Sequence, residues 1–412
     1  MKKLCLLLAC LLTLTACEAA APGAQEPTQP SQSNVAQTTA PNDAAPLKPD
    51  KTFNSLMDEL LADTGSNACI SPLSFKFALG IAYNGAKGST AELLSALFGV
   101  PPDEMNAWAL AYLEEAKKYD GSQRDAYSPP NPELRIANSY WLRKGLEGEI
   151  AKRFTNTLTR SFHAQSGKFD KKPDPVNDWV SDATNGKIEE ILAEIDPNAL
   201  SYLVNALYFN AHWINDFDEN RTRQASFTNI DGSKVTTDML HGGADSHINT
   251  AQFEGMAKHL YGGFTFTAVM PKTDAPVTMD SLAEAQKSAD ESYTSVILTI
   301  PKYEIDTRVD FIEGNHPEFD ALFAHHGMDG ALSADADTTD LLISQIIHKT
   351  TFSLAEAGIE ASAATVVGLL AGGAAPSESK EVAVTFDQPF YFTLTDKHGE
   401  VLFVGKVMTL EA

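Results

Sequence analysis

The sequence EAGIEASAATVV at Glu356–Val367 is the most informative stretch of this chain. It joins a glycine to a run of alanine, serine and threonine, and residues 368–380 behind it are again mostly small or polar. Apolar segments follow, which we interpret as β-strands at 381–386, 389–395 and 400–408. A long stretch of mostly small and polar residues beside predicted strands indicates an exposed loop, and such loops in compact domains usually carry function.

The chain upstream of this loop mixes helices and strands. Apolar spacing and start signals predict helices at 53–61, 71–86, 89–99, 103–118, 148–162 and 174–192. Alternation predicts strands at 134–142, 264–270 and 295–303. The run YLVNALYFNAHW at Tyr202–Trp213 is too apolar for a strand with one exposed face, so it predicts a central strand covered on both sides. Because helices and strands interleave without a regular βα repeat, the predicted fold class is α+β.

Local signals mark the ends of two of these helices. Ser71-Pro72 predicts an N-cap followed by proline at the first helical position. Ser89-Thr90-Ala91-Glu92 has the pattern of a capping box, and Gly99 predicts the end of the helix that it opens.

The composition excludes several classes of protein. Of the 412 residues, 43% are hydrophobic, which suffices for a large core and excludes a disordered chain and a multi-span membrane protein. Lys and Arg number 31 against 55 Asp and Glu, giving a net charge of −24. A surface this acidic repels phosphate and sulfate groups, so we expect neither nucleic acid nor a heparin-like polyanion as a partner.

The N-terminus predicts export and a lipid anchor. Two lysines precede a short apolar run, and Leu14-Thr15-Ala16-Cys17 then resembles the processing site of bacterial lipoproteins. In that interpretation residues 1–16 are a signal peptide and Cys17 carries the lipid. Glu18 then favours the outer membrane, with the protein on the periplasmic or cell-surface side. The alternative is an ordinary secretory signal cut near residue 16 or 20.

Residues 17–50 are rich in Ala, Pro, Gln, Thr and Ser, and they predict a flexible tether. The folded body is predicted to span residues 51–412. Cys69 is the one cysteine in that body, and lipidation would cap Cys17, so we expect no disulfide.

Familiar catalytic signatures are absent from the sequence. It contains no G-x-S-x-G, H-E-x-x-H or G-x-x-x-x-G-K-[ST] motif. Asp335, Asp337 and Asp340 lack the turn glycine and final glutamate of a calcium loop, and His325-His326 have no ligand partner at metal-site spacing. We therefore predict a protein that is not an enzyme and that needs no metal or cofactor.

Motifs along the whole body share one family pattern. They are Asn67-Ala68-Cys69-Ile70-Ser71-Pro72-Leu73-Ser74, Ile136-Ala137-Asn138-Ser139-Tyr140-Trp141, Val176-Asn177-Asp178-Trp179-Val180, Asn205-Ala206-Leu207-Tyr208-Phe209 with Trp213, Pro301-Lys302-Tyr303, His348-Lys349, Phe386–Phe392 and Leu402–Val407. Together they resemble the serpins, the serine protease inhibitor family. The family's hinge is matched by Glu356, Gly358, Ile359, Glu360, Ala361, Ser362, Ala363, Ala364 and Thr365. Ile359 and Tyr140 depart from the family pattern.

The resemblance implies a serpin fold with three β-sheets, eight or nine helices and an exposed reactive-centre loop at about 356–380. In that family the loop lies outside the five-stranded sheet A until a target protease cuts it and is acylated. The cut loop then inserts into sheet A as a new strand, a form of strand addition, and the protease stays trapped. From Ile359 to the expected cut is about 14 residues, or roughly 45 Å as a strand.

The resemblance also implies roles for two groups of residues. Ser71, Ser74, Asn205 and His348 match the polar group beneath the opening of sheet A, which we call the shutter cluster; as buried polar groups they should hydrogen-bond to one another. Trp213, Lys302 and Glu356 match the breach at the top of the sheet, with an ion pair between the lysine and the glutamate.

The reactive bond is predicted between Gly372 and Gly373, counted from the hinge, with Leu370 and Ala371 as alternatives. Uncharged residues on the loop favour elastase-like or subtilisin-like serine proteases, held as a covalent acyl complex, with a cysteine protease also open. A trypsin-type pocket would leave its acid unpaired. We expect a monomer. The alternative is a non-inhibitory serpin that binds or scaffolds other molecules, although such members tend to carry proline or charge in the hinge.

Overall fold

A computed structural model describes residues 51–62, 65–123, 128–146, 150–292, 295–310, 328–333, 347–359 and 380–411. All of them belong to one compact unit, Ala40–Ala412. The predicted signal peptide, Cys17 and the whole predicted tether lie outside the described residues, as do His325, His326, Asp335, Asp337 and Asp340.

The described residues form seven α-helices, against the eight or nine implied by the family resemblance. They are α1 Lys51–Ala62, α2 Pro72–Gly85, α3 Gly88–Phe98, α4 Pro102–Ala116, α5 Lys152–Ser161, α6 Asp174–Ala183 and α7 Met279–Lys287. Three short 3-10 helices lie at Glu219–Arg221, Tyr261–Gly263 and Asp329–Ala331. Within the described part of the chain, no helix is long and apolar enough to cross a membrane.

Sixteen strands accompany these helices. They are β1 Ala68–Ile70, β2 Glu133–Arg143, β3 Gln165–Phe169, β4 Ser201–His212, β5 Arg223–Thr228, β6 Lys234–Ala244, β7 Ser246–Asn249, β8 Phe253–Leu260, β9 Phe264–Pro271, β10 Ser295–Pro301, β11 Tyr303–Asp310, β12 Ile347–Leu354, β13 Gly358–Ile359, β14 Glu381–Thr385, β15 Phe390–Thr395 and β16 Val401–Val407.

These strands form three sheets, so the predicted α+β class and three-sheet architecture are confirmed. Sheet A has the order β11-β12-β13-β4-β2-β3, sheet B the order β1-β16-β15-β9-β8-β7, and sheet C the order β14-β10-β6-β5. Sheet A consists of five longer strands and the two-residue strand β13.

The strand β4 lies inside sheet A and is buried along almost its whole length, as its apolar sequence predicts. Leu203, Leu207 and Phe209 contribute to the main hydrophobic core. The alternate side chains, among them Val204, pack into a second core with Val180 of α6. Since side chains alternate between the two faces of a strand, β4 needs apolar residues at both sets of positions.

The ends of α2 and α3 test the predicted capping signals. The Ser71 side chain accepts a hydrogen bond from the Ser74 N–H at the start of α2, which confirms the predicted N-cap. The predicted capping box at 89–92 is wrong, because α3 begins at Gly88 and its N-cap residue, Lys87, makes no side-chain capping bond. Gly99 has a φ of 64° and donates to the Ser95 carbonyl, so it ends α3 as predicted.

The helix α6 ends at Ala183, nine residues before the predicted end at 192. Asn185 and Gly186 have positive φ values and stop the helix. Beyond them, the Asn177 side chain accepts hydrogen bonds from the N–H groups of Ile191 and Leu192, each at 3.0 Å. The backbone there is satisfied by a side chain, so it needs no helical partner.

Candidate functional site

Two residues near the start of the predicted loop, Gly358 and Ile359, lie inside sheet A. Gly358 pairs with His212, and Ile359 pairs with both Ala211 of β4 and Leu354 of β12. The expectation that the loop lies wholly outside this sheet is therefore wrong at its entry. Ile359 is only 1% exposed and joins the main core. Burial of an isoleucine contributes about 1.5–3 kcal/mol, so this departure from the usual Thr or Ser favours the inserted position.

The strands β12 and β4 also come close to each other directly. Within the described residues these two strands share no ladder of their own, and β13 joins them at the top of the sheet. A longer strand in the register of β13 would therefore have to separate β12 from β4.

The segment 213–217, which we call the clamp, holds the turn between β12 and β13. The Trp213 N–H donates to the Ala357 carbonyl and its indole Nε1–H donates to the Ala355 carbonyl, both at 3.0 Å. The Phe217 N–H donates to the Glu356 carbonyl at 2.9 Å. Three successive carbonyls of the turn are thus bound to the segment that follows β4.

The side chain of Glu356 adds an ion pair to this contact. Its Oε2 lies 2.9 Å from the Lys302 Nζ, and its Oε1 accepts from the Thr222 hydroxyl at 3.0 Å. Burial acts to raise the pKa of the Glu356 carboxyl, but these hydrogen bonds outweigh it and leave the pKa below its ordinary value. The structure thus brings Trp213, Lys302 and Glu356 together around one turn.

The four shutter-cluster residues meet beneath β12 and β4. The Ser74 hydroxyl donates to Asn205 Oδ1, and the Ser71 N–H donates to His348 Nε2 at 3.0 Å. Asn205 Nδ2 donates in turn to Asn138 Oδ1 at 2.7 Å. The Thr350 hydroxyl also lies 2.6 Å from His348 Nε2. The cluster therefore ties the start of α2 to both β4 and β12.

Burial lowers the pKa of His348 to about 4 from its ordinary 6.5. The neutral ring is required here, because Nε2 must accept the Ser71 N–H. Protonation of this ring would remove an acceptor that joins α2 to β12.

A family model described as Serpin (serine protease inhibitor) matches residues 51–410. The chain belongs to the serpin family. An uncharacterized serpin-like protein of Methanosarcina mazei is 25% identical over 372 residues, which cover 86% of this chain and 84% of the relative. Iripin-8 of Ixodes ricinus is 29% identical over 383 residues, covering 86% and 91%. Members of this family are mostly protease inhibitors and not enzymes.

Solved serpin structures share the fold of this chain. The native state of the thermophilic serpin Tengpin has a TM-score of 0.73 at 24% identity, covering 92% of this chain and 96% of that one. Arabidopsis AtSerpin1 in its native stressed conformation has a TM-score of 0.71 at 23% identity, covering 87% and 96%.

The remaining predicted site residues on the loop of this serpin lie outside the described residues. They are Glu360, Ala361, Ser362, Ala363, Ala364, Thr365, Leu370, Ala371, Gly372 and Gly373. Lys380, at the far end of the loop, is described. Its Nζ lies 3.1 Å from Asp290 Oδ2 and 3.3 Å from the Ser292 hydroxyl. Glu381 directly after it pairs with Ser295 in sheet C.

Several residues of the serpin site were not found by sequence reasoning. Asn138 and Thr350 extend the shutter cluster, while Phe217 and Thr222 hold Glu356 at the breach. Asn138 falls within one of the matched motifs, which was a usable signal. The described residues contain no group of three His, Cys, Asp or Glu that could hold a metal ion.

Proposed function

We propose that this serpin is an irreversible suicide inhibitor of serine proteases. The observation that supports this best is β13, since the start of the loop already occupies the top of the position between β12 and β4. A protease that cuts the loop farther along would release the rest of this arm to extend β13. The inserted strand would carry the acylated protease away before water could release it.

The pairing of β13 would set the register of such an insertion. Each further residue of the loop would move one position down β4 from Ala211 and one position down β12 from Leu354. Residue 365 would then lie between Asn205 and His348, so Thr365 would meet the shutter cluster with a hydroxyl that can hydrogen-bond. The same face would receive Ala361, Ala363 and Val367, which are small or apolar and favour burial.

The length of β4 supports the predicted reactive bond. A strand from Gly358 that follows β4 to its first residue, Ser201, ends at Leu369. This is roughly 40 Å of strand at about 3.3 Å per residue. A cut between Gly372 and Gly373 leaves three residues beyond that point, which is enough to connect to the trapped protease. A cut at Leu370 or Ala371 leaves one or two.

The far end of the loop argues against a trypsin-like target. Lys380 is the basic residue nearest the predicted cut, and its Nζ contacts Asp290. Glu381–Thr385, just beyond it, form five pairs with β10. A protease that binds an extended substrate across this bond would have to separate β14 from sheet C. We therefore propose elastase-like or subtilisin-like targets, which accept small and aliphatic residues.

The deciding experiment mixes the protein with an elastase-type protease and with trypsin. We expect an SDS-resistant covalent band with the elastase and a released C-terminal fragment that begins at Ala371, Gly372 or Gly373. Efficient inhibition of trypsin with a fragment that begins at Glu381 would overturn both the class and the register. Rapid cleavage by every protease without a covalent band would favour the non-inhibitory alternative.

We also propose that the chain is an exported bacterial lipoprotein anchored through Cys17 and that its folded domain acts as a monomer at the membrane surface. The support is the sequence alone: the Leu14-Thr15-Ala16-Cys17 motif and the small, polar residues of the tether behind it. A tether of this kind would let the inhibitor meet proteases near the membrane while its loop stays accessible.

A further inference from the structure

A buried lysine lies against the clamp. Lys258 on β8 is only 2% exposed, and its Nζ donates to the Asn215 carbonyl at 2.7 Å and to the Gly243 carbonyl at 2.8 Å. Among the described residues no carboxylate lies within salt-bridge distance of it. Burial of an ammonium group without a paired carboxylate is costly, so its position calls for a compensating role.

The ammonium group also faces two aromatic rings of the clamp. Its Nζ lies 4.7 Å from the Phe217 ring centre and 5.5 Å from the Trp213 ring centre. Those two rings meet edge to face at 6.0 Å. A desolvated cation is attracted to the faces of aromatic rings, so Lys258 binds both rings and the main chain between them.

These rings belong to the residues that hold the hinge turn. Trp213 donates to the carbonyls of Ala355 and Ala357, and Phe217 donates to that of Glu356. The clamp thereby connects the end of β4 to the turn that follows β12, and these are the two strands that must separate when the loop inserts. One ammonium group thus contacts the first, third and fifth residues of the clamp.

We propose that Lys258 is a positioning residue that holds the clamp in the geometry needed to restrain the hinge. The purpose of this restraint rests on the proposed inhibitory function, but the contacts of Lys258 with the clamp do not depend on it. Without this cation the clamp should loosen, and β12 and β4 should separate more readily. Burial lowers the pKa of Lys258 to about 8 against the opposing effect of Asp245 and Asp216, so the group remains largely charged at neutral pH.

Hydrogen exchange of the full chain tests this without a protease. In Lys258→Met, which keeps a long apolar side chain, the amides of Trp213 and Phe217 should exchange at least tenfold faster than in the wild type. The matched control is Lys406→Met. Lys406 lies on β16, is similarly buried, and its Nζ donates to the Leu61 carbonyl at 3.0 Å. That variant should leave both clamp amides protected.

Phe217→Leu provides a second variant that keeps the lysine and removes the nearer ring. It should speed exchange at Trp213 in the same direction by a smaller factor. Unchanged exchange in Phe217→Leu and Lys258→Met, or equal acceleration in Lys406→Met, would overturn the proposal. If the wild type traps no protease, the inhibitory function is refuted. If Lys258→Met nevertheless loosens the clamp and Lys406→Met does not, the role of Lys258 still stands.

Discussion

Replacement of Gly358 by alanine should convert this serpin from an inhibitor into a substrate. A Cβ at Gly358 would lie 2.1 Å from the Ala211 carbonyl oxygen and 2.9 Å from the His212 Cα. Both atoms belong to the backbone of β4 and cannot rotate away. The chain would have to move β4, at an overpacking cost of about 1–3 kcal/mol, or withdraw Ile359 and lose about 1.5–3 kcal/mol of burial.

A cost of about 2 kcal/mol on the insertion step slows it roughly 30-fold. Hydrolysis of the acyl-enzyme is unaffected, so more loops should be cut and released for each protease trapped. The assay is the stoichiometry of inhibition with an elastase-type protease, read beside the ratio of cleaved chain to SDS-resistant complex. We expect the stoichiometry to rise at least several-fold.

Gly243→Ala is the matched control for this change. Gly243 also lies in a strand, but the nearest atom to a Cβ built there is the Val296 carbonyl oxygen at 3.8 Å, an ordinary contact. That variant should inhibit like the wild type. If Gly358→Ala kept the wild-type stoichiometry, insertion could not begin at the position that β13 occupies, and the register argument would fail.

Four further outcomes are expected. Ala363→Arg should place a charge on the inward face and raise the stoichiometry of inhibition, whereas Glu360→Arg on the opposite face should change it little; equal effects would contradict the register. A nick within the loop should raise the melting temperature, because the added strand completes sheet A, and an unchanged or lower midpoint in a scan would refute this. In the folded protein the pKa of His348 is about 4, which is lower than its ordinary 6.5, so His348 takes up a proton more readily when the chain is unfolded. Its share of the stability is full above pH 6.5 and about 3 kcal/mol is lost as the pH falls towards 4, so denaturant unfolding of His348→Gln should be less acid-sensitive than that of the wild type. Cys17→Ala should release the protein from membranes, and a wild type found unlipidated and soluble would show that the anchor does not exist.

The central part of the fold could be predicted from local patterns. Local sequence was enough to predict β4 from its apolar run and the start of α2 from Ser71-Pro72. Burial on both faces of a strand and a capping hydroxyl are both visible in the local sequence. The predicted end of α6 failed because Asn177 satisfies backbone groups fourteen and fifteen residues away. Helical spacing carries no information about such a contact, although Asn185-Gly186 was a usable stop signal.

The strands β5 to β8 were not predicted. Their exposed and buried positions alternate only in part, as in β6, where a polar first half precedes buried Met239 and Leu240. Gly232, with a φ of 81°, lies in the tight connection between β5 and β6, so Asp231-Gly232 was a hairpin signal that sequence reasoning did not use.

In the candidate site, too, local motifs identified some residues, whereas others depend on contacts between distant parts of the chain. The family pattern named the shutter residues, but Asn138 reaches Asn205 only because β2 and β4 pair directly at these two positions. Likewise Phe217 reaches Glu356 through a main-chain bond that spacing cannot foresee. The extent to which Ile359 is already buried depended on both neighbouring strands and could not be read from the loop.

Because of the two-residue strand β13, the two halves of the loop should differ in how well they tolerate insertions and deletions. In the proposed insertion the register is counted from Ile359, so adding or removing a single residue between 359 and 369 would turn every later side chain to the wrong face. No comparable count applies between 370 and 380, where the chain has only to return to Lys380 and β14. Protease preference can therefore be rewritten in that second stretch, by evolution or by grafting, while the trapping strand is left intact.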